Sequence, residues 1–132
     1  MRRTVMIGNI PVEMVGNAAT PIRFKHLFGE DLIRHMNSDE DDAERTEVLM
    51  RLAFLMAMQA EKVGGELQKL KESDFIAWLE RFEYPALVNA TVDALALYLG
   101  MERGDLEAAV EENHSKNAVE EQGGNSTLPC SS

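Results

Sequence analysis

The chain of 132 residues has a single cysteine, Cys130, set in a polar stretch near its end. One thiol excludes an internal disulfide framework and any cysteine-only zinc site, and it points to a reducing cytoplasm. Basic residues are scarce as well, 13 Lys and Arg against 23 Asp and Glu, a formal charge of -10. A protein that neutralises a phosphate backbone needs clustered cations, so nucleic acid is not an expected partner and proteins with basic patches are. No run approaches the roughly 18 apolar residues of a membrane span. Arg2 and Arg3 resemble the start of an export signal, but Gly8, Asn9, Pro11 and Glu13 interrupt the apolar run behind them, so neither membrane nor export is expected. With 45% apolar residues the main body is globular, and its length fits one domain.

Familiar catalytic constellations are also missing. The histidines are His26, His35 and His114. The first two stand nine apart on one expected helix, about half a turn from each other, and cannot share a metal. Neither a phosphate-binding loop nor a G-x-G-x-x-G motif occurs. Asn37, Asp39 and Asp41 alternate like calcium ligands, but Asp42 replaces the required glycine and Val48 the bidentate glutamate. Adjacent carboxylates such as Glu30-Asp31 and Glu111-Glu112 diverge by about 100° on a helix and read as solvated faces. No catalytic, cofactor-binding or metal-binding residue is assigned.

What is present is a mainly α (α+β) pattern. Apolar runs on either side of Gly8-Asn9 predict a hairpin over about 4–15, with Pro11 confining the second strand to an edge or to a start beyond the proline. Two strands need a surface to pack on, which a bundle of four to five helices must supply. Thr20 as N-cap and Pro21 in the first turn open a helix whose apolar positions, Ile22, Phe24, Leu27, Phe28, Leu32, Ile33 and Met36, carry it to about Met36. The acidic run Ser38–Asp42 precedes a central helix from Asp42 to about Val63, apolar around most of its circumference and stopped by Gly64-Gly65. A charged connector, Glu66–Lys71, comes next. Ser73 caps a helix over Asp74–Glu83, in which Phe75, Ile76, Leu79 and Phe82 share a face that Trp78 extends. A further helix runs from Pro85 or Ala86 to Leu99 and stops at Gly100; with Asp93 its one charge, it must be buried on nearly all sides, here or against another protomer. A short acidic helix from Asp105 to about Asn113 closes a single domain over 1–113, and 114–132 has the composition of a disordered acidic, polar tail.

Charge varies as a gradient. Residues 1–36 carry five basic and three acidic groups (+2), 37–72 five and nine (-4), and 73–132 three and eleven (-8), which can orient self-association or a partner. Met50, Met56 and Met58 offer either core packing or a pliable surface for varied helices, because an unbranched thioether repacks easily.

Thr20-Pro-Ile-Arg-Phe-Lys-His-Leu-Phe-Gly-Glu-Asp-Leu-Ile, placed after a small hairpin, resembles the start of tail assembly chaperones of long-tailed bacteriophages and prophages. Phe75-Ile-Ala-Trp-Leu-Glu-Arg-Phe and the apolar helix ending at Leu97-Tyr-Leu-Gly resemble a later block of that family, so the likeness spans about 1–113. It implies a non-enzymatic factor of the host bacterial cytoplasm that coats the tape-measure protein, helps to recruit tail-tube subunits and is absent from the mature virion. It also implies a second, longer product made by ribosomal frameshift. No cofactor is implied, and the charge gradient and the low-charge helix ending at Leu99 leave room for a homo-oligomer. The residues expected to line a client or self-association surface are Leu52, Met56, Met58, Phe75, Trp78 and Leu79. Two other readings compete: an acidic inhibitor or DNA mimic that occupies a nucleic-acid site on an enzyme, and a small regulatory enzyme.

Overall fold

A computed structural model describes residues 1–36, 42–62 and 64–108. The calcium-like spacing at 37–41 and the tail 114–132 lie outside them. The chain divides into two units, Met1–Gly100 and Met101–Ser132, whereas the sequence pattern carries one body to residue 113. In the second unit, residues 103–108 are helical, two residues earlier than expected, and Arg103 Nε lies 3.0 Å from Glu107 Oε2 one turn away.

The first unit is mainly helical with an N-terminal hairpin, as the pattern predicts. Strands β1 (Arg2–Ile7) and β2 (Ile10–Val15) pair antiparallel around Gly8-Asn9, with Val5 opposite Val12 and Ile7 opposite Ile10. Alternation sends Val5, Ile7, Val12 and Met14 inward, while Arg2, Thr4, Met6 and Glu13 stay out. Pro11 is accommodated inside β2 and does not delay its start.

Six helices complete the described part of this unit: α1 (Thr20–Phe28), α2 (Leu32–Met36), α3 (Asp42–Glu61), α4 (Gly64–Leu67), α5 (Glu72–Leu79) and α6 (Tyr84–Leu99). The single helix expected over 20–36 is two. Gly29 adopts the left-handed conformation (φ 71°) and its N–H returns to Lys25 O, a helix-ending cap that a side chain would strain. Thr20 is the first residue of α1 and does not cap it. Its hydroxyl accepts from Asn17 N (3.0 Å), and Ala19 N donates to Asn17 Oδ1 (2.9 Å). The glycines Gly64-Gly65 open α4 as well as standing behind α3. At α5 the helix begins before Ser73, because the Asp74 carboxylate accepts from Lys71 N at 2.8 Å and satisfies an end N–H.

Helix α3 is the hub. It has strong helix formers and neither Gly nor Pro, and it packs against β2, α1, α2, α4, α5 and α6. Seven consecutive residues, Leu52–Met58, are buried, so the helix is enclosed on all sides for about two turns. The hairpin lies on α3 through β2 and on α6 through β1. The backbone approaches closely at Gly16, where a Cβ would lie 3.2 Å from Met56 Sδ and 3.6 Å from Tyr98 Cα. Helix α6 is not enclosed all round: Leu87, Ala90, Thr91, Ala94, Ala96 and Leu97 are buried, Asn89 and Leu99 exposed.

The core contains every phenylalanine and the one tryptophan of the chain, joined in series. Ring centroids are 5.0 Å apart for Phe24–Phe28, 5.6 for Phe28–Phe75, 5.5 for Phe75–Phe54, 5.7 for Phe54–Trp78 and 4.9 for Trp78–Phe82. Tilted and edge-on arrangements of this kind add about 0.5–1.5 kcal/mol per pair beyond area burial. Opposite them, Gln59 ties three elements together. Its Nε2 donates to Val15 O (2.6 Å) and to Thr20 Oγ1 (3.0 Å), and its Oε1 accepts from Arg23 Nη1 (3.0 Å).

Candidate functional site

The six residues expected at a client surface are placed mostly in the interior. Leu52 and Met56 are fully buried, Met58, Phe75 and Trp78 nearly so, and Leu79 is half-buried against the same core. Five of the six therefore offer a partner no surface in the monomer. The physical reason is the position of α3, which leaves no free side for Leu52, Met56 or Met58. On α5 and just beyond it, the side chains packed on the core are Phe75, Trp78, Leu79 and Phe82, spaced i, i+3, i+4 and i+7, and Ile76 falls outside this stripe. Ile76 is 48% exposed, contrary to the shared face expected of it.

That outward position marks a groove. Between the first half of α3 and α5 lies an open depression of about 400 Å³, floored by Met50 and Phe75 and flanked by Ile76, Leu79 and Tyr84, with Ala43 and Thr46 on the α3 side. Tyr84 is 67% exposed. Its rim carries Glu47 and Glu72. Both carboxylates reach one guanidinium: Arg51 Nη2 is 2.5 Å from Glu47 Oε2 and 3.5 Å from Glu72 Oε2, while Nη1 is 3.1 Å from Glu30 Oε1. Arg51 is held from below by aromatic faces, its guanidinium carbon 5.0 Å from the Phe28 ring centre and 5.8 Å from that of Phe75. At the rim itself, Glu47 and Glu72 share the single guanidinium of Arg51.

The break at Gly29 puts His26 on α1 and His35 on α2, where His35 Nε2 is 3.5 Å from Glu30 Oε2. Among the described residues no group of three His, Cys, Asp or Glu is placed to hold a metal ion. No described helix is long and apolar enough to cross a membrane. Two titrating groups are displaced from their ordinary values. The Thr4 hydroxyl and the Arg2 guanidinium hold the Glu13 carboxyl low, and burial, with Asp31 nearby, pushes the Tyr98 phenol up.

The groove was not visible as such in the sequence. Its signals are an isoleucine one position, about 100°, away from a buried phenylalanine, and a tyrosine immediately before the helix-opening Pro85. No protein-family model, curated protein or solved structure matches the chain.

Proposed function

We propose that this chain is a non-enzymatic tail assembly chaperone of a long-tailed phage or prophage. In this reading it works in the host bacterial cytoplasm, binds helical segments of the tape-measure protein, helps to bring in tail-tube subunits, and stays out of the finished virion. The observation that supports it most directly is the α3–α5 groove, apolar on its floor and acidic on its rim. Such a groove suits an amphipathic client helix that lays an apolar ridge against Ile76, Leu79 and Tyr84 and presents Lys or Arg to Glu47 and Glu72. Glu30, Glu47 and Glu72 gather around Arg51 as an ion-pair cluster, which favours this reading over a phosphate-spaced acidic array.

The test is co-expression with a tape-measure segment from the same genome, then size-exclusion chromatography with light scattering. Co-elution of several copies per client supports the proposal, and Ile76→Glu removes that co-elution without unfolding the protein. A client that stays insoluble beside an unbound chaperone overturns it and directs attention to the inhibitor reading, for which nuclease inhibition is the assay.

A further inference from the structure

The two edges of the hairpin are not equivalent. Backbone parity is fixed at both ends of the ladder. At one end Ile7 and Ile10 close a two-residue turn. At the other, Met1 and Gly16 exchange both backbone groups, Met1 N to Gly16 O at 2.6 Å and Gly16 N to Met1 O at 2.9 Å. Because bonded and non-bonded pairs alternate along an antiparallel ladder, Ile7, Val5 and Arg3 point their N–H and C=O into the hairpin. Arg2, Thr4 and Met6 on β1, and Pro11, Glu13 and Val15 on β2, point theirs away.

On β2 that outward row is blunted twice. Pro11 has no N–H to offer, and the Val15 carbonyl is already taken by Gln59 Nε2. On β1 nothing comparable occurs. Among the described residues the sheet has two strands, and no backbone group pairs with the outward row of Arg2, Thr4 and Met6. Met6 is 52% exposed, and the charge of Arg2 is answered within its own hairpin by Glu13 at 2.9 Å.

We propose that β1 is a self-association edge, on which a second copy of this chain adds its own β1 antiparallel, Thr4 opposite Thr4, to make a four-stranded sheet across two hairpins. This register alone engages all three outward residues of each copy. It sets Arg2 beside the second copy's Met6 and Arg3 beside the second copy's Val5, so that no like charges stand directly opposite, whereas a shift that pairs Arg2 with Arg2 opposes two cations. Because each chain has one open edge and one blunted edge, pairing closes at two copies and does not propagate.

The test is sedimentation of the full chain over a wide concentration range, with amide exchange measured residue by residue. The expected result is a concentration-dependent doubling of mass, with the Thr4 and Met6 amides slowing in the dimer and the outward Glu13 amide unchanged. Thr4→Pro removes an outward N–H and no ladder bond, and it weakens association by about tenfold or more. Met6→Lys, which places a charge on the edge without touching the backbone, does the same if the proline variant fails to fold. A monomer at every concentration overturns the proposal. So does a dimer that survives Met6→Lys with the Thr4 and Met6 amides still exchanging freely.

Discussion

Helices α3 and α5 read alike in sequence, each dense in Leu, Met, Ala or aromatic residues and each a candidate partner surface, yet they are used in opposite ways. Helix α3 is enclosed along Leu52–Met58 and makes the core, while α5 buries Phe75 and Trp78 and turns Ile76 outward beside the groove. Apolar content therefore says that a helix buries something. Which side chains remain free is decided by how many neighbours surround it, six elements for α3 and principally one for α5.

The sharpest way to break this contrast is to charge the enclosed helix. Met56 is fully buried beneath Gly16, so Met56→Lys costs more than about 4 kcal/mol and abolishes the urea transition of the first unit. Next is Trp78→Ala, which removes a buried ring between Phe54 and Phe82. Its expected cost is about 3–5 kcal/mol in denaturant unfolding, so loss of client binding with an unchanged melting temperature would show that Trp78 is an interface residue after all. Gln59→Ala leaves Thr20, Val15 and Arg23 without their shared partner, at about 1–3 kcal/mol by the same measurement. Ile76→Glu, in contrast, stays within about 0.5 kcal/mol of the parent while removing client capture; a large loss of stability would place Ile76 in the core.

The smallest effect is confined to acid. Glu13 has a folded pKa below its ordinary 4.5, held there by Thr4 and then Arg2, so the stabilising contribution is present above 4.5 and is lost as pH falls through the depressed value. Thermal unfolding from neutral to acidic pH should lose this share of its acid limb in Glu13→Gln. An unchanged acid limb would show that the outer face of the hairpin contributes nothing to acid sensitivity.

Much of the fold was legible because local chemistry and tertiary packing agree. The Gly8-Asn9 turn, the uninterrupted helix formers of α3 and the stop at Gly100 each point one way. The break at Gly29 was not legible. Apolar spacing continues across it from Leu27 and Phe28 to Leu32, and only the left-handed cap separates α1 from α2. Ser73 lost its predicted capping role because Asp74, one residue later, reaches back to Lys71 N. The candidate site was legible in its elements and not in its residues: the sequence directs attention to α3 and α5, and the wall between them is made of Ile76 and Tyr84, whose exposure depends on where α3 ends up.

The series of aromatic rings makes the molecule its own optical instrument. With one tryptophan in the chain, emission under selective excitation comes from a single indole, 3% exposed and enclosed by Phe54 and Phe82. Burial predicts a blue-shifted emission for the folded protein and a shift to the red on release of α5, read without any attached dye. The groove floor reaches this reporter in two ring contacts, from Phe75 through Phe54 to Trp78, whereas β1 is not in the ring series at all. A titration in which a client shifts the emission while concentration alone does not would separate the two proposed surfaces by colour.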